Sequence, residues 1–211
     1  MEEPFEAKGV RGFLHRPDRV NGHALALTHG AGSNCRAPLL ARLAHGFEEA
    51  GFIILRYDLP FRQQRKSSPP FPANAERDRE GIAAAAEVLR GMASGRIFLG
   101  GHSYGGRQSA MLAAARPDVA SALLLLSYPL HPPKKPEQTR TSFFPELQIP
   151  ALFVHGTKDP FGSIEELRVA MDLIPARTDL LTVEGAGHDL ARAGDLSVEI
   201  IERLEALGLA V

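Results

Sequence analysis

Apolar residues along this chain fall into two alternating kinds of block. Short continuous runs recur at Ala24 to Thr28, Phe52 to Tyr57, Ile97 to Gly100, Ala122 to Ser127, Ala151 to His155 and Asp179 to Val183. Runs of that length with little polar alternation predict strands buried on both faces. Between them, apolar positions recur at helical spacing: Leu40, Leu43 and Phe47 before Gly51; Ile82, Ala86 and Leu89 before Gly91; and an Ala-rich stretch from Ser109 to Ala115 that stops at Pro117. Two later helices carry start signals. Ser163 with Glu166 forms a capping box ahead of Leu167 and Met171, and Ser197 precedes Ile200, Ile201, Leu204 and Leu207. Both are expected to pack on the sheet. Alternating strands and helices predict an α/β fold: a mostly parallel central sheet with helices on both faces.

Two segments break this rhythm, Pro60 to Asp78 and His131 to Pro150, both proline-rich. Each follows a strand and so is expected at the carboxyl edge of the sheet, where open α/β sheets bind ligands. There is no internal repeat, no linker and no long helical insertion. The expectation is one domain over residues 1–211 with an open site and no substantial cap.

Composition changes this picture little. The 211 residues are 44% hydrophobic, and 24 Lys and Arg balance 25 Asp and Glu, so charge gives no reason to expect a nucleic-acid partner. Met1-Glu2-Glu3-Pro4 is acidic without an apolar signal core, and no apolar stretch, Ala122 to Leu126 among them, is long enough to span a bilayer. A cytoplasmic protein without membrane contact is expected. The single cysteine, Cys35, excludes an internal disulfide framework, fits a reducing compartment and is expected to be a buried structural thiol.

The candidate chemistry gathers at strand ends. Gly101-His102-Ser103-Tyr104-Gly105 follows Ile97-Phe98-Leu99 and precedes a helical pattern. The five-residue motif is short, but strand, glycines and helix together make a nucleophile elbow: a serine on a tight strand-to-helix turn, with glycines where backbones pass closely. A serine nucleophile needs a base, an acid to orient the base, and donors for an oxyanion. His188, in Gly185-Ala186-Gly187-His188-Asp189, follows the last strand and is the expected base. Asp159, in Gly156-Thr157-Lys158-Asp159-Pro160, is the expected acid, with Asp58 as its rival and a turn cap as its plain structural role. The oxyanion donors are expected to be the N–H of Tyr104 and that of Ala31 in His29-Gly30-Ala31-Gly32, where Gly30 is the alternative. His29, His102 and His155 read as supporting or structural residues. No spacing suggests a metal site, no phosphate loop is present, and no cofactor is expected.

Two basic groups also follow strands: Arg56, Arg62, Arg65 and Lys66, and Lys134, Lys135 and Arg140. A solvated loop surface is one reading of them. The other brings them together near Ser103 to bind an anionic substrate, with Arg56, Arg62 and Arg140 as substrate-binding candidates.

Taken together, the order Ser103, Asp159, His188 and the motifs around them resemble the α/β-hydrolase superfamily over essentially the whole chain. Thr28-His29-Gly30-Ala31-Gly32-Ser33-Asn34, Gly105-Gly106-Arg107, Ser127-Tyr128-Pro129-Leu130-His131-Pro132-Pro133 and Gly156-Thr157-Lys158-Asp159-Pro160-Phe161-Gly162 are similar to a capless, dienelactone-hydrolase-related family. That family includes testis-expressed hydrolase-like proteins and a scaffold subunit of a histone acetyltransferase complex. The resemblance implies an α/β-hydrolase fold and a Ser103-Asp159-His188 triad, and it names no substrate. Many relatives carry Lys and Met beside the nucleophile where His102 and Tyr104 stand here, and dienelactone hydrolases proper use cysteine. The expected function is hydrolysis of a small-molecule ester or thioester through an acyl-enzyme on Ser103. A binding or scaffold protein on the same fold, or an acyltransferase using the same residues, are the alternatives.

Overall fold

The structure, a computed structural model, describes residues 2–191 and 193–209. Met1 of the acidic N-terminal run lies outside them. Eight strands form one sheet in the order β1-β2-β4-β3-β5-β6-β7-β8. From β3 (Ala24–Thr28) through β4 (Ile53–Asp58), β5 (Ile97–His102), β6 (Ala122–Leu126), β7 (Ala151–Gly156) and β8 (Thr178–Val183), all pairings are parallel. These six strands are the six apolar runs, with ends that coincide or shift by at most two residues.

The side-chain alternation of each strand divides the core between two faces. In β3, Ala24 and Ala26 join one cluster while Leu25 and Leu27 join the other; in β6, Leu123 and Leu125 oppose Leu124 and Leu126. On the first face lie α3 (Ala75–Arg90), α4 (Tyr104–Ala115) and α5 (Ile164–Met171), which contribute Ile82, Leu89, Leu112 and Leu167. The other face carries α1 (Pro38–Glu49) and α6 (Ser197–Ala206), with Leu40, Leu43, Phe47, Ile200 and Leu204. The Ser163 capping box is formed in full. Ser197 differs from expectation: Leu196 is the N-cap, and the Ser197 N–H bonds to Asp195 Oδ1 while its side chain is buried against Gly46 of α1.

Two elements have no counterpart in the apolar pattern. A hairpin of β1 (Glu2–Ala7) and β2 (Val10–His15) adds antiparallel to β4. Its outer strand Glu-Glu-Pro-Phe-Glu-Ala is almost wholly exposed, with the charges and proline that shield a sheet edge. Within Pro60 to Asp78, a short α2 (Pro60–Gln64) forms and α3 already begins at Ala75. The 127–150 segment remains loop apart from a 3-10 turn, Phe144–Glu146, which anchors it through the fully buried Phe144. Neither insertion builds a cap. Among the described residues no helix is long and apolar enough to cross a membrane.

The sheet places the site. The chain runs from β3 outward to β4, then returns to β5 on the other side of β3. The loop after β3 and the elbow after β5 therefore meet at the point where strand order reverses, and the loops after β7 and β8 open beside them.

Candidate active site

Ser103 leaves β5 with φ of 51° and ψ of −113°, a backbone conformation costly for any side chain. Its N–H donates to the Leu126 carbonyl at 2.8 Å, and its carbonyl accepts the first bond of α4, from Arg107 N at 2.9 Å. Glycine is required on both flanks. A Cβ on Gly101 would stand 2.4 Å from Gly106 N, and one on Gly105 would stand 2.6 Å from the His29 carbonyl oxygen. Such packing lets α4 start directly against two strand ends.

The three sequence candidates meet in one chain of hydrogen bonds. The Ser103 hydroxyl lies 2.8 Å from His188 Nε2, and His188 Nδ1 lies 2.8 Å from Asp159 Oδ2. A carboxylate only accepts, so Nδ1 carries the imidazole proton and Nε2 is left to accept from the serine. Asp159 is fully buried at its side chain, and its Oδ1 accepts the Phe161 N–H at 2.9 Å. The Phe161 ring lies on the His188 imidazole at 4.2 Å between centroids. Asp58, the rival acid, is elsewhere: its Oδ1 accepts the Cys35 N–H at 2.7 Å and lies 3.5 Å from His29 Nε2.

The other histidines brace these loops. His102 Nε2 donates to the His188 carbonyl at 2.7 Å, and burial holds the His102 pKa below its ordinary value. Buried His29 donates from Nδ1 to the Gly30 carbonyl and accepts the Leu59 N–H at Nε2, with burial pushing its pKa down to about 4. His155 Nε2 donates to the Gly162 carbonyl at 2.9 Å and stands 3.6 Å from Asp159. Cys35 is buried, and its thiol is pushed up to about 12, chiefly by burial.

A cleft of about 480 Å³ opens over Ser103, lined among others by Gly30, Ala31, Tyr104, Arg107, Arg140 and His188. Tyr104 is the first residue of α4, where a backbone N–H has no acceptor within the helix. Its hydroxyl donates to buried Asp78 at 2.8 Å, and its ring packs edge-on against Phe61. The loop of Gly30 and Ala31 sits close against the elbow. A Cβ on Gly30 would be 3.4 Å from Ser103 Cβ and 2.9 Å from His102 Nδ1. A second, mainly apolar cavity of about 340 Å³ lies beyond Gly30 and His102, walled by Leu39, Leu40, Pro38 and Ala191.

The two basic groups do not converge at the cleft. Arg56 is buried in the sheet, donating to His15 Nε2, to the Cys35 carbonyl and to Glu2, so it is a structural residue away from the cleft. Arg62 is also buried and turns under the loop, donating to the Ala31 carbonyl at 2.7 Å and to the Arg65 carbonyl. Arg65 stacks on Phe71, and Lys66, Lys134 and Lys135 are exposed. Only Arg140 reaches the cleft, and it is joined there by Arg107. In the sequence Arg107 stands out only as part of Gly105-Gly106-Arg107, although a position one helical turn beyond Ser103 shares its face. Among the described residues no three His, Cys, Asp or Glu side chains come together to hold a metal ion.

The fold is that of a capless α/β hydrolase. The chain belongs to the family described as the alpha/beta hydrolase domain, whose model matches residues 21–206. It is 24% identical over 187 residues to a cutinase, Est2, of Thermobifida alba, covering 87% of this chain and spanning 59% of that relative's length. Among solved structures, a dienelactone hydrolase from Anabaena variabilis aligns at 20% identity and TM-score 0.73, covering 97% of this chain and 96% of its own. Est1E from Butyrivibrio proteoclasticus aligns at 17% identity and TM-score 0.75, over 100% of this chain and 99% of its own. A serine hydrolase without lid from Xanthomonas campestris gives 17% identity and TM-score 0.73, over 98% and 92%.

Proposed function

We propose that this protein is a serine hydrolase that cleaves a small carboxylic ester or thioester through an acyl-enzyme on Ser103. The observation that carries this is the unbroken Ser103–His188–Asp159 hydrogen-bond chain, 2.8 Å at each link, at the floor of an open cleft. In the first half, His188 Nε2 takes the Ser103 proton as Oγ bonds to the carbonyl carbon. The carbonyl oxygen becomes an oxyanion, held by the N–H groups of Tyr104 and Ala31; one such donor contributes about 3 kcal/mol of transition-state stabilisation. Collapse breaks the bond to the alcohol or thiol, which leaves with the proton from His188. In the second half, His188 takes a proton from water, the hydroxide adds to the acyl carbon, and Ser103 recovers its proton as the acid departs. Asp159 keeps Nδ1 protonated and stabilises the imidazolium in both halves.

The esterase names of the Est2 and Est1E relatives support the ester class. The test is a panel of nitrophenyl esters and acyl thioesters with wild type and Ser103→Ala. Wild type should turn over at least one substrate, and Ser103→Ala should lose on the order of a million-fold in kcat. Turnover surviving the substitution within tenfold contradicts the mechanism.

A further inference from the structure

Arg107 and Arg140 stand together in the wall of the Ser103 cleft. Neither makes an ion pair with a carboxylate among the described residues, whereas Arg56 and Arg203 pair with Glu2 and Asp179. Arg107 rises from α4 one turn beyond Ser103, its N–H on the Ser103 carbonyl. Arg140 comes from the loop after β6, donating from Nη1 to the Pro129 carbonyl at 3.2 Å, while its own carbonyl accepts the Tyr128 hydroxyl. The same hydroxyl lies beside the Arg107 guanidinium.

Holding two half-buried cations together without a counter-charge is unfavourable, and Arg140 shows it: burial first, and then the Arg107 charge, press its pKa below the ordinary value. Arg107 Nε is buried with no hydrogen-bond partner. The wall is therefore short of an anion, and two guanidinium groups match a carboxylate in charge and in planar, two-pronged geometry.

We propose that Arg107 and Arg140 clamp a carboxylate on the substrate, so that the protein selects acidic esters over neutral esters of the same length. The clamp rests on the reading of Ser103 as the nucleophile, because it sets specificity for that reaction. A carboxylate drawn between the guanidiniums relieves their repulsion and aligns the scissile carbonyl over Ser103.

The test compares mono-4-nitrophenyl adipate with 4-nitrophenyl hexanoate. Wild type should favour the adipate by tenfold or more in kcat/KM at low salt, and the preference should shrink as salt is added. Arg107→Gln and Arg140→Gln should each reduce the adipate-to-hexanoate ratio by about tenfold, and Lys135→Gln on the exposed loop should leave the ratio unchanged. Where a Gln variant does not fold, the Lys variant, which keeps charge but loses the planar fork, should still lower the ratio. A wild-type ratio near one, or equal ratios in the arginine variants and Lys135→Gln, overturns the clamp. A binding arm separates the two readings. Adipate should raise the melting temperature of Ser103→Ala and not that of Ser103→Ala with Arg140→Gln. A salt-sensitive adipate shift without ester turnover in wild type refutes the hydrolase and keeps the clamp. Turnover of both esters at equal kcat/KM without a shift refutes the clamp and keeps the hydrolase.

Discussion

Asp58 and Asp159 both follow parallel strands, and sequence alone left them as competitors. Space separates them: Asp159 bonds the imidazole of His188, and Asp58 bonds the backbone of Cys35. Asp159→Asn should accordingly cost on the order of ten-thousand-fold in turnover, because an amide holds His188 in the wrong tautomer. Its melting temperature should stay near wild type, while Asp58→Asn should lower the melt and spare kcat. The check is paired kinetics and thermal melts, and the reverse pattern would reassign the acid. Ser103 and His188 were legible because glycine-rich turns after strands are local features. Arg56, Arg62 and Arg140 were not separable, since each follows a strand and only tertiary contacts decide which guanidinium is consumed inside the fold. Arg107 stands in the Gly105-Gly106-Arg107 motif, but its exposure to the cleft depends on where α4 begins, which the motif does not fix.

At the level of elements, the elbow is where local preference and function conflict. The residue at position 103 is held at φ 51° by packing of α4 against β3 and β5, a conformation that glycine adopts without penalty. Ser103→Gly should be inactive yet melt above Ser103→Ala, with the difference on the order of 1 kcal/mol. Equal melts would mean that the elbow stores no strain. Five of the six parallel strands are plain in the sequence because both faces are buried and nearly every position is apolar, whereas β8, at the sheet edge, buries only Leu181 and shows through its Leu180-Leu181 centre. The β1–β2 hairpin does not show, because an edge strand with one open face carries charge and proline instead. The early start of α3 was hidden because its first turn, Ala75-Glu76-Arg77-Asp78, carries no large apolar residue, and Asp78 is buried as a hydrogen-bond acceptor for Phe61 N and Tyr104 rather than as part of an apolar stripe.

For the whole molecule, buried neutral histidines set the acid limit. His15 and His29 are both buried, and burial holds each pKa near 4, against an ordinary value of 6.5. Well above pH 6.5 neither folded nor unfolded chain carries these protons, and the full stability is present. As pH falls toward 4 the unfolded chain takes up protons that the folded one refuses. Each histidine then removes stability by up to about 1.4 kcal/mol per pH unit. Melting temperature should therefore decline from pH 7 to pH 5, with a shallower decline in His15→Gln; a pH-independent melt would contradict the burial of neutral imidazoles. Ser103 as nucleophile is tested by mass spectrometry of the folded protein after reaction with a fluorophosphonate. A hydrogen-bonded, activated Ser103 predicts one adduct, on the peptide containing Ser103, lost in both Ser103→Ala and His188→Ala. No adduct in a folded wild-type sample, or an adduct that persists in Ser103→Ala, would contradict it.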